Sequence, residues 1–311
     1  MLRIAISFDY DSPAGYRQSF HMRDFPGNAD YEGTQLLLNV LRRHGVKASF
    51  GIVGQAALPG EPPDQCQDQI REIHRAGHEI ASHSMTHRFI PPMRDEELFE
   101  EVSSSKGALE ACIGAPIQGF IPPFNRPSHF PAAGAFSISE VLGLDGRGRG
   151  RQSIGTMLKT LKKAGFGWSR VSFQSKWTQL SRRFGTAKDH PPVQPFVHSG
   201  IVAIPLHETG FGFAARNLIR KWIGANHVLT LYGHPNQALS ANRQNVKELD
   251  GLLSEFSSDR KGRALEFKTM GEIAGMIHAH EADSRTKESD LQKAQDSVPR
   301  IVSVVRSFTK T

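Results

Sequence analysis

MLRIAISFDYD, residues 1–11, decides the fold. Leu2–Phe8 is an apolar run with no helical period, and it has the length of a strand buried on both faces. It ends on Asp9-Tyr10-Asp11, so polar chemistry begins where the strand stops. Working outward, YEGTQLLLNVLRR (31–43) sets Leu37, Val40 and Leu41 on one helical face, and Gly45 supplies a stop. KASFGIVG (47–54) reads as a second strand. A helix over 64–76 closes at Gly77, and HEIAS (78–82) is a third strand. A helix over 94–112 starts on acidic residues, as the helix dipole favours, and stops at Gly114 before the strand PIQGFI (116–121). After an irregular stretch at 130–151 come a helix (153–164), a strand (166–173), a polar loop (174–199) and the strand IVAIPL (201–206). A helix (214–223), the strand HVLTLY (227–232), a helix (241–257), ALEF and TMGEIAGMIHA follow. About seven strands alternating with helices predict an α/β chain with a parallel sheet or barrel. One domain is expected over 1–280, with a polar tail at 281–311 that is either disordered or helical.

Composition narrows the classes. With 38% hydrophobic and 22% charged residues in 311, a sizeable core is available and wholesale disorder is excluded. Two cysteines, Cys66 and Cys112, exclude a disulfide scaffold and a cysteine-rich zinc site. No run reaches the roughly 18 apolar residues of a membrane span. The N-terminus opens on a strand without an apolar leader, so a soluble cytoplasmic protein is expected. Lys and Arg exceed Asp and Glu by 38 − 31 = 7. Residues 147–188, which begin within the run GRGRGR (146–151), hold eleven basic residues and no acidic one. That stretch is either a solvated basic face or a contact for phosphate: a nucleotide-sugar, a lipid-linked glycan or an anionic bilayer surface. Nucleic acid is not the expected partner, because no binding motif and no interleaved aromatics accompany the charge.

In a parallel βα barrel, reactive groups lie just past the C-terminal ends of strands. Three ends carry suitable types: Asp9-Tyr10-Asp11, His83-Ser84-Met85-Thr86-His87, and Gly233-His234-Pro235. A lone H-x-x-x-H pair is most often surface or core histidine, and a lone D-x-D is often a turn or a cap. Their coincidence at separate strand ends is what points to a metal site. On a helical turn His83 and His87 would share a face, and Asp9 or Asp11 would complete a three-ligand set. The two carboxylates are read as pointing to opposite sides, one to bind the ion and one to act as general base. His207-Glu208 marks another strand end that could line the site. Asp24, Asn28 and Asp30 are read as loop residues within reach of a substrate. His44, His74 and His78 are read as structural.

The chain resembles the polysaccharide deacetylases of the NodB-homology type, carbohydrate esterase family 4, from about Leu2 to Ala274. SFDYD is similar to the family's first motif, GHEIASHSMTH to its second, GFIPPFN to its third and LTLYGHP to its fifth. The resemblance implies a distorted (β/α)7 barrel. It implies that Asp11, His83 and His87 bind a divalent metal, usually Zn2+, that Asp9 is the general base, and that His234 is the general acid. Phe124, Asn125 and Tyr10 are the implied substrate contacts, with the Phe124 backbone N–H at the oxyanion site. The implied reaction is hydrolysis of an N-acyl, usually N-acetyl, group on a sugar, and the expected substrate is an intracellular precursor of surface polysaccharide, nucleotide- or lipid-linked. Fold relatives also act on formyl groups and on cyclic amides or ureides. Two departures stand out. Ile121 occupies the position of the arginine that orients the catalytic aspartate, and the fourth motif has tryptophans, Trp168 and Trp177, without its aspartate. They raise the alternative of a barrel that binds carbohydrate or phosphate without turnover.

Overall fold

The structure, a computed structural model, describes residues 1–20, 28–125, 152–172, 192–239 and 243–281. The GRGRGR run, Asp24, Trp177 and nearly all of the C-terminal tail lie outside them. Strand β1 (Leu2–Tyr10) is central. Its parallel neighbours are β2 (Ser49–Ile52) and β9 (Val228–Gly233), and β10 (Leu265–Lys268) pairs with its first half. The sheet continues through β3 (Glu79–Ser82), β4 (Gly119–Phe120), β5 (Trp168–Val171), β7 (Ile201–Pro205) and the antiparallel edge strand β6 (Phe196–His198). At the other end lies the short β8 (Glu208–Thr209) beside β9.

The chain after β7 curls the sheet toward closure. The Leu206 N–H bonds to Val171 of β5, whereas the next N–H, of His207, bonds to Thr230 of β9. One segment therefore hands its hydrogen bonds from one end of the sheet to the other. This is the distorted (β/α)7 barrel that the resemblance implies.

Alternation along β1 separates two cores. Leu2, Ile4, Ile6, Phe8 and Tyr10 pack outward under the helices. Ala5 faces inward with Ala81, Ile121, Trp168, Val202 and Ile204. The outer layer is built by amphipathic helices, including α2 (Ala29–His44), α3 (Gln67–Arg75), α4 (Asp95–Ile113) and α5 (Ile154–Lys163). Two of their ends use the expected glycines: Gly45 and Gly114 take left-handed conformations (φ 58° and 69°) that a side chain would strain.

The N-terminal end of the barrel is plugged. Glu79 accepts the Trp168 indole N–H at 3.0 Å, the Ser49 hydroxyl at 2.6 Å and the Gly271 N–H at 2.9 Å, pinning the helix at 270–281 across the opening. The Trp168 ring fills the interior above Gly119, where a Cβ would come within 2.0 Å of it. Among the described residues, the polar groups suited to chemistry gather at the opposite end, at the C-termini of the strands.

Three local expectations differ from the structure. Ser12–Phe20 is a helix, α1, which sequence periodicity did not reveal. Its SPAGYRQSF has little apolar stripe, and tertiary contact holds it instead: Gly15 lies so close to His87 that a Cβ would be 3.0 Å from the His87 Cβ. The polar loop expected over 174–199 contains β6. Asp30 belongs to the first turn of α2 rather than to a loop. Among the described residues no helix is long and apolar enough to cross a membrane.

Candidate metal centre and active site

Asp11 follows β1 directly, and His83 follows β3. The segment from His83 to His87 is not helical, contrary to the expected turn. Ser84 and His87 adopt left-handed backbone (φ 66° and 58°), and the Ser84 Oγ accepts the His87 N–H at 3.0 Å. Glu101 of α4 moors the loop by accepting the Thr86 N–H at 2.6 Å and its hydroxyl at 2.7 Å. This tight turn, and not a helix, places the two imidazole centroids 5.0 Å apart.

Ligand atoms of Asp11, His83 and His87 all lie within 4.8 Å of one another, and all three residues are buried. Asp11 Oδ1 is 3.2 Å from His83 Nε2 and 3.3 Å from His87 Nε2, yet among the described residues it has no aligned hydrogen-bond partner. A buried carboxylate oxygen in that state calls for a cation. His83 Nδ1 is 2.7 Å from the Ile121 carbonyl, which fixes the ring and leaves Nε2 turned to the cluster. Two imidazoles and one carboxylate suit a divalent ion and leave positions for water and substrate. Burial raises the Asp11 carboxyl, but His87 and His83 outweigh it and hold it well below the carboxylate range. Burial lowers His83, but Asp9 and then Asp11 bring it above the usual imidazole value.

Asp9 does not point away from Asp11. Alternate residues of a strand share a face, so both carboxylates look into the barrel and both sense His83 and His234. Their partners divide them. Arg170, fully buried on β5, donates to Asp9 Oδ1 at 2.8 Å and to Oδ2 at 2.5 Å. Burial pushes Asp9 up, but Arg170 first, then His83, more than offset it, so the carboxyl sits below its ordinary value and stays ionised. The same guanidinium donates to Ser7 Oγ at 3.0 Å and to Asn125 Oδ1 at 2.6 Å, and lies 4.7 Å from the Tyr232 ring centroid. Sequence reading missed Arg170. The available signal was a lone arginine inside the buried strand WSRV, an expensive choice unless a carboxylate waits opposite.

His234 follows β9, with Nε2 3.9 Å from Asp11 Oδ2 and its side chain 22% exposed, so the general-acid candidate reaches both the cluster and solvent. Phe124 is half-buried. Its ring lies 4.9 Å from His87 and 5.6 Å from Phe89, forming one aromatic wall. Asn125 (φ 54°) tolerates left-handed backbone well, and its carbonyl oxygen is engaged by Arg170 rather than offered to a ligand. Tyr10 is corrected outright: it is fully buried on the outer face of β1 and cannot touch a substrate. His207 is also structural, with Nδ1 3.0 Å from Thr230 Oγ1 and Nε2 2.9 Å from the Val193 carbonyl. Glu208 Oε1 accepts the Thr209 N–H. Asp30 is sealed from solvent.

The described residues join a curled α/β barrel to a buried Asp–His–His cluster that could hold a metal ion, and comparison with known proteins shows what a part of the chain is similar to. Residues 3–129 match the family described as polysaccharide deacetylase. The likeness read from the motifs is therefore shown, and it rests on the half of the barrel that supplies Asp9, Asp11, His83 and His87. A peptidoglycan-N-acetylglucosamine deacetylase of Bacillus cereus (strain ATCC 14579) is 33% identical over 101 residues, 32% of this chain and 33% of that protein. The matched stretch thus spans about a third of the curated relative. A crystal structure of a provisionally assigned polysaccharide deacetylase from Mycobacterium smegmatis superposes with a TM-score of 0.62 at 18% identity, covering 90% of this chain and 91% of that one. Puue allantoinase superposes with a TM-score of 0.59 at 15% identity, covering 89% and 90%. Both likenesses concern the fold.

Proposed function

We propose that the chain is a metal-dependent hydrolase that removes an N-acyl group, N-acetyl in the first instance, from an amino sugar. The observation that carries this reading is the ionised Asp9, clamped by Arg170 beside the Asp11–His83–His87 cluster. A cluster alone would suit simple ion binding, whereas a second carboxylate held apart from it suits hydrolysis.

Asp11, His83 and His87 would hold the ion, with Zn2+ proposed. When bound, it would lower the pKa of water toward about 7 and polarise the amide carbonyl. Asp9 takes the proton from the attacking water. Its depressed pKa keeps it ready at neutral pH, and Arg170 holds its geometry. His234 gives a proton to the departing amine, a poor leaving group unless protonated. The Phe124 backbone N–H would bind the developing oxyanion, while the rings of Phe124 and Phe89 would offer an apolar wall to a sugar face. Arg170 also answers the departure at Ile121, since an arginine does hold the base although it comes from another strand. This favours turnover over a non-catalytic binding barrel.

The substrate proposed is an acylated amino sugar on a phosphate-bearing carrier, a reading that rests on the basic sequence at 147–188. The test measures acetate release from N-acetylglucosamine oligomers and from a nucleotide-linked N-acetyl sugar, with Zn2+ or Co2+ supplied. Release by the parent and its loss in Asp9→Asn is the expected result. A protein that binds the ion but releases acetate from neither substrate would overturn the deacetylase reading.

A further inference from the structure

Asp30 cannot meet a substrate, yet it joins the two halves of the proposed chemistry. It lies in the first turn of α2 with 1% of its surface exposed. Its Oδ1 accepts the backbone N–H of Asn236 at 3.1 Å, two residues beyond His234. The backbone N–H of Ser12, the residue after Asp11, lies close enough to the same carboxyl to pull its pKa down against the rise that burial imposes. A second contact on the same helix presses the His234 segment into place: a Cβ on Gly33 would stand 1.8 Å from the Pro235 carbonyl oxygen. Meanwhile His234 Nδ1 has no hydrogen-bond partner among the described residues. Among the described residues the ring is packed edge-on against Tyr232, with centroids 5.5 Å apart, and the backbone that carries it sets where it stands.

We propose that Asp30 is a positioning residue that sets the place of His234 relative to Asp11. One carboxyl lies between the chain just past the metal-binding aspartate and the chain just past the acid and accepts a hydrogen bond from the latter, while Gly33 lets the helix approach closely enough for that bridge to form. The inference rests on the hydrolase reading for its consequence, but its geometry stands without it. Proton donation to a leaving group is sensitive to displacements of about 1 Å, which can cost as much as 100-fold in rate. A group that fixes such a distance should therefore act on turnover rather than on substrate affinity.

The test uses the full chain loaded with Co2+, whose unpaired electrons shift the ring resonances of nearby histidines according to distance and angle. The His234 signal is identified by its disappearance in His234→Gln. Asp30→Asn keeps the oxygen that accepts the Asn236 N–H and should leave that signal where the parent has it. Asp30→Ala removes the bridge, and Gly33→Ala drives the helix from the loop; both should displace the signal while Co2+ affinity stays within about threefold. In the acetate-release assay, both should lower kcat by about tenfold or more and leave KM within about twofold. An unmoved His234 signal in either folded variant overturns the proposal, as does a displaced signal in Asp30→Asn. If Asp30→Ala fails to fold, Gly33→Ala and Asp30→Asn still decide. Displacement of the signal in a parent background that releases no acyl group would uphold the positioning role and sink the hydrolase reading instead.

Discussion

Arg170 grips Asp9 through both carboxylate oxygens, from a neighbouring region of the barrel interior and out of contact with solvent. Two parallel N–H···O bonds fix the plane of the carboxylate as well as its charge. The pair is costly to bury, and once formed it is costly to break: removing one partner from a buried pair typically costs about 3–5 kcal/mol. Ser7, Asn125 and Tyr232 surround the guanidinium, so its orientation is set from β1 again and from two further segments.

Arg170→Lys should fold, yet lose at least about tenfold in kcat, because an ammonium cannot reproduce the two-pronged grip. Arg170→Met removes the strongest influence holding Asp9 down against burial, so the Asp9 pKa rises. The base then protonates at higher pH, and the acid limb of kcat/KM moves upward. A pH–rate profile at saturating metal checks this, and an unmoved limb would show that Arg170 does not tune the base. Because the single change strands a buried charge, Asp9→Asn/Arg170→Met should be more stable than Arg170→Met alone.

Zn2+ or Co2+ should raise the melting temperature of the parent. An ion at 100 times its Kd stabilises by about 2.7 kcal/mol if it binds only the folded chain. Asp11→Ala, His83→Ala and His87→Ala should each abolish the shift, whereas Asp9→Asn should retain it. Equal loss in Asp9→Asn would mean that both carboxylates bind the ion and that no free base remains.

His78 should give the fold an acid-sensitive step remote from the site. Its ring is buried, accepts the Ala48 N–H at Nδ1 (3.1 Å) and packs edge-on against Phe50. Burial first, then Lys47, lowers its pKa from 6.5 to about 4. Between those values the unfolded chain binds a proton that the folded chain refuses, so stability falls as pH drops from about 6.5 to about 4 and levels off below. Urea denaturation across that range should show a flatter profile in His78→Gln, where no proton can be taken up.

Gly119→Ala should destabilise the barrel by about 1–3 kcal/mol or more, because the added methyl meets the Trp168 ring in a plugged interior with no room to yield. Denaturant midpoints of the two proteins measure this. A midpoint equal to the parent's would mean that the tryptophan repacks freely.

The order of strands and helices was legible in the sequence because each element carries a local signal. Leu2–Phe8 is too apolar and too short to be anything but a buried strand, and the alternation after it leaves few topologies. Asp11, His83 and His87 were legible for a related reason. Imidazole and carboxylate types at three strand ends have one shared destination once the strands are parallel. The helix α1 was not legible, since its stability comes from packing on His87 and not from its own pattern.

What the sequence alone determined, then, was an α/β chain with a parallel sheet or barrel and the set of polar groups at its strand ends, because periodicity and strand-end chemistry are properties of short stretches. Tertiary structure decided which partner each group meets. It took Tyr10 and Asp30 out of reach of substrate, bent 83–87 by left-handed turns where a helix was expected, and brought Arg170 to Asp9 across 161 positions of sequence. Contacts of that span depend on strand order and on which face each residue shows in the folded barrel. No local pattern encodes them, because the energy that selects them, pairing of buried charge, exists only after the chain has excluded water.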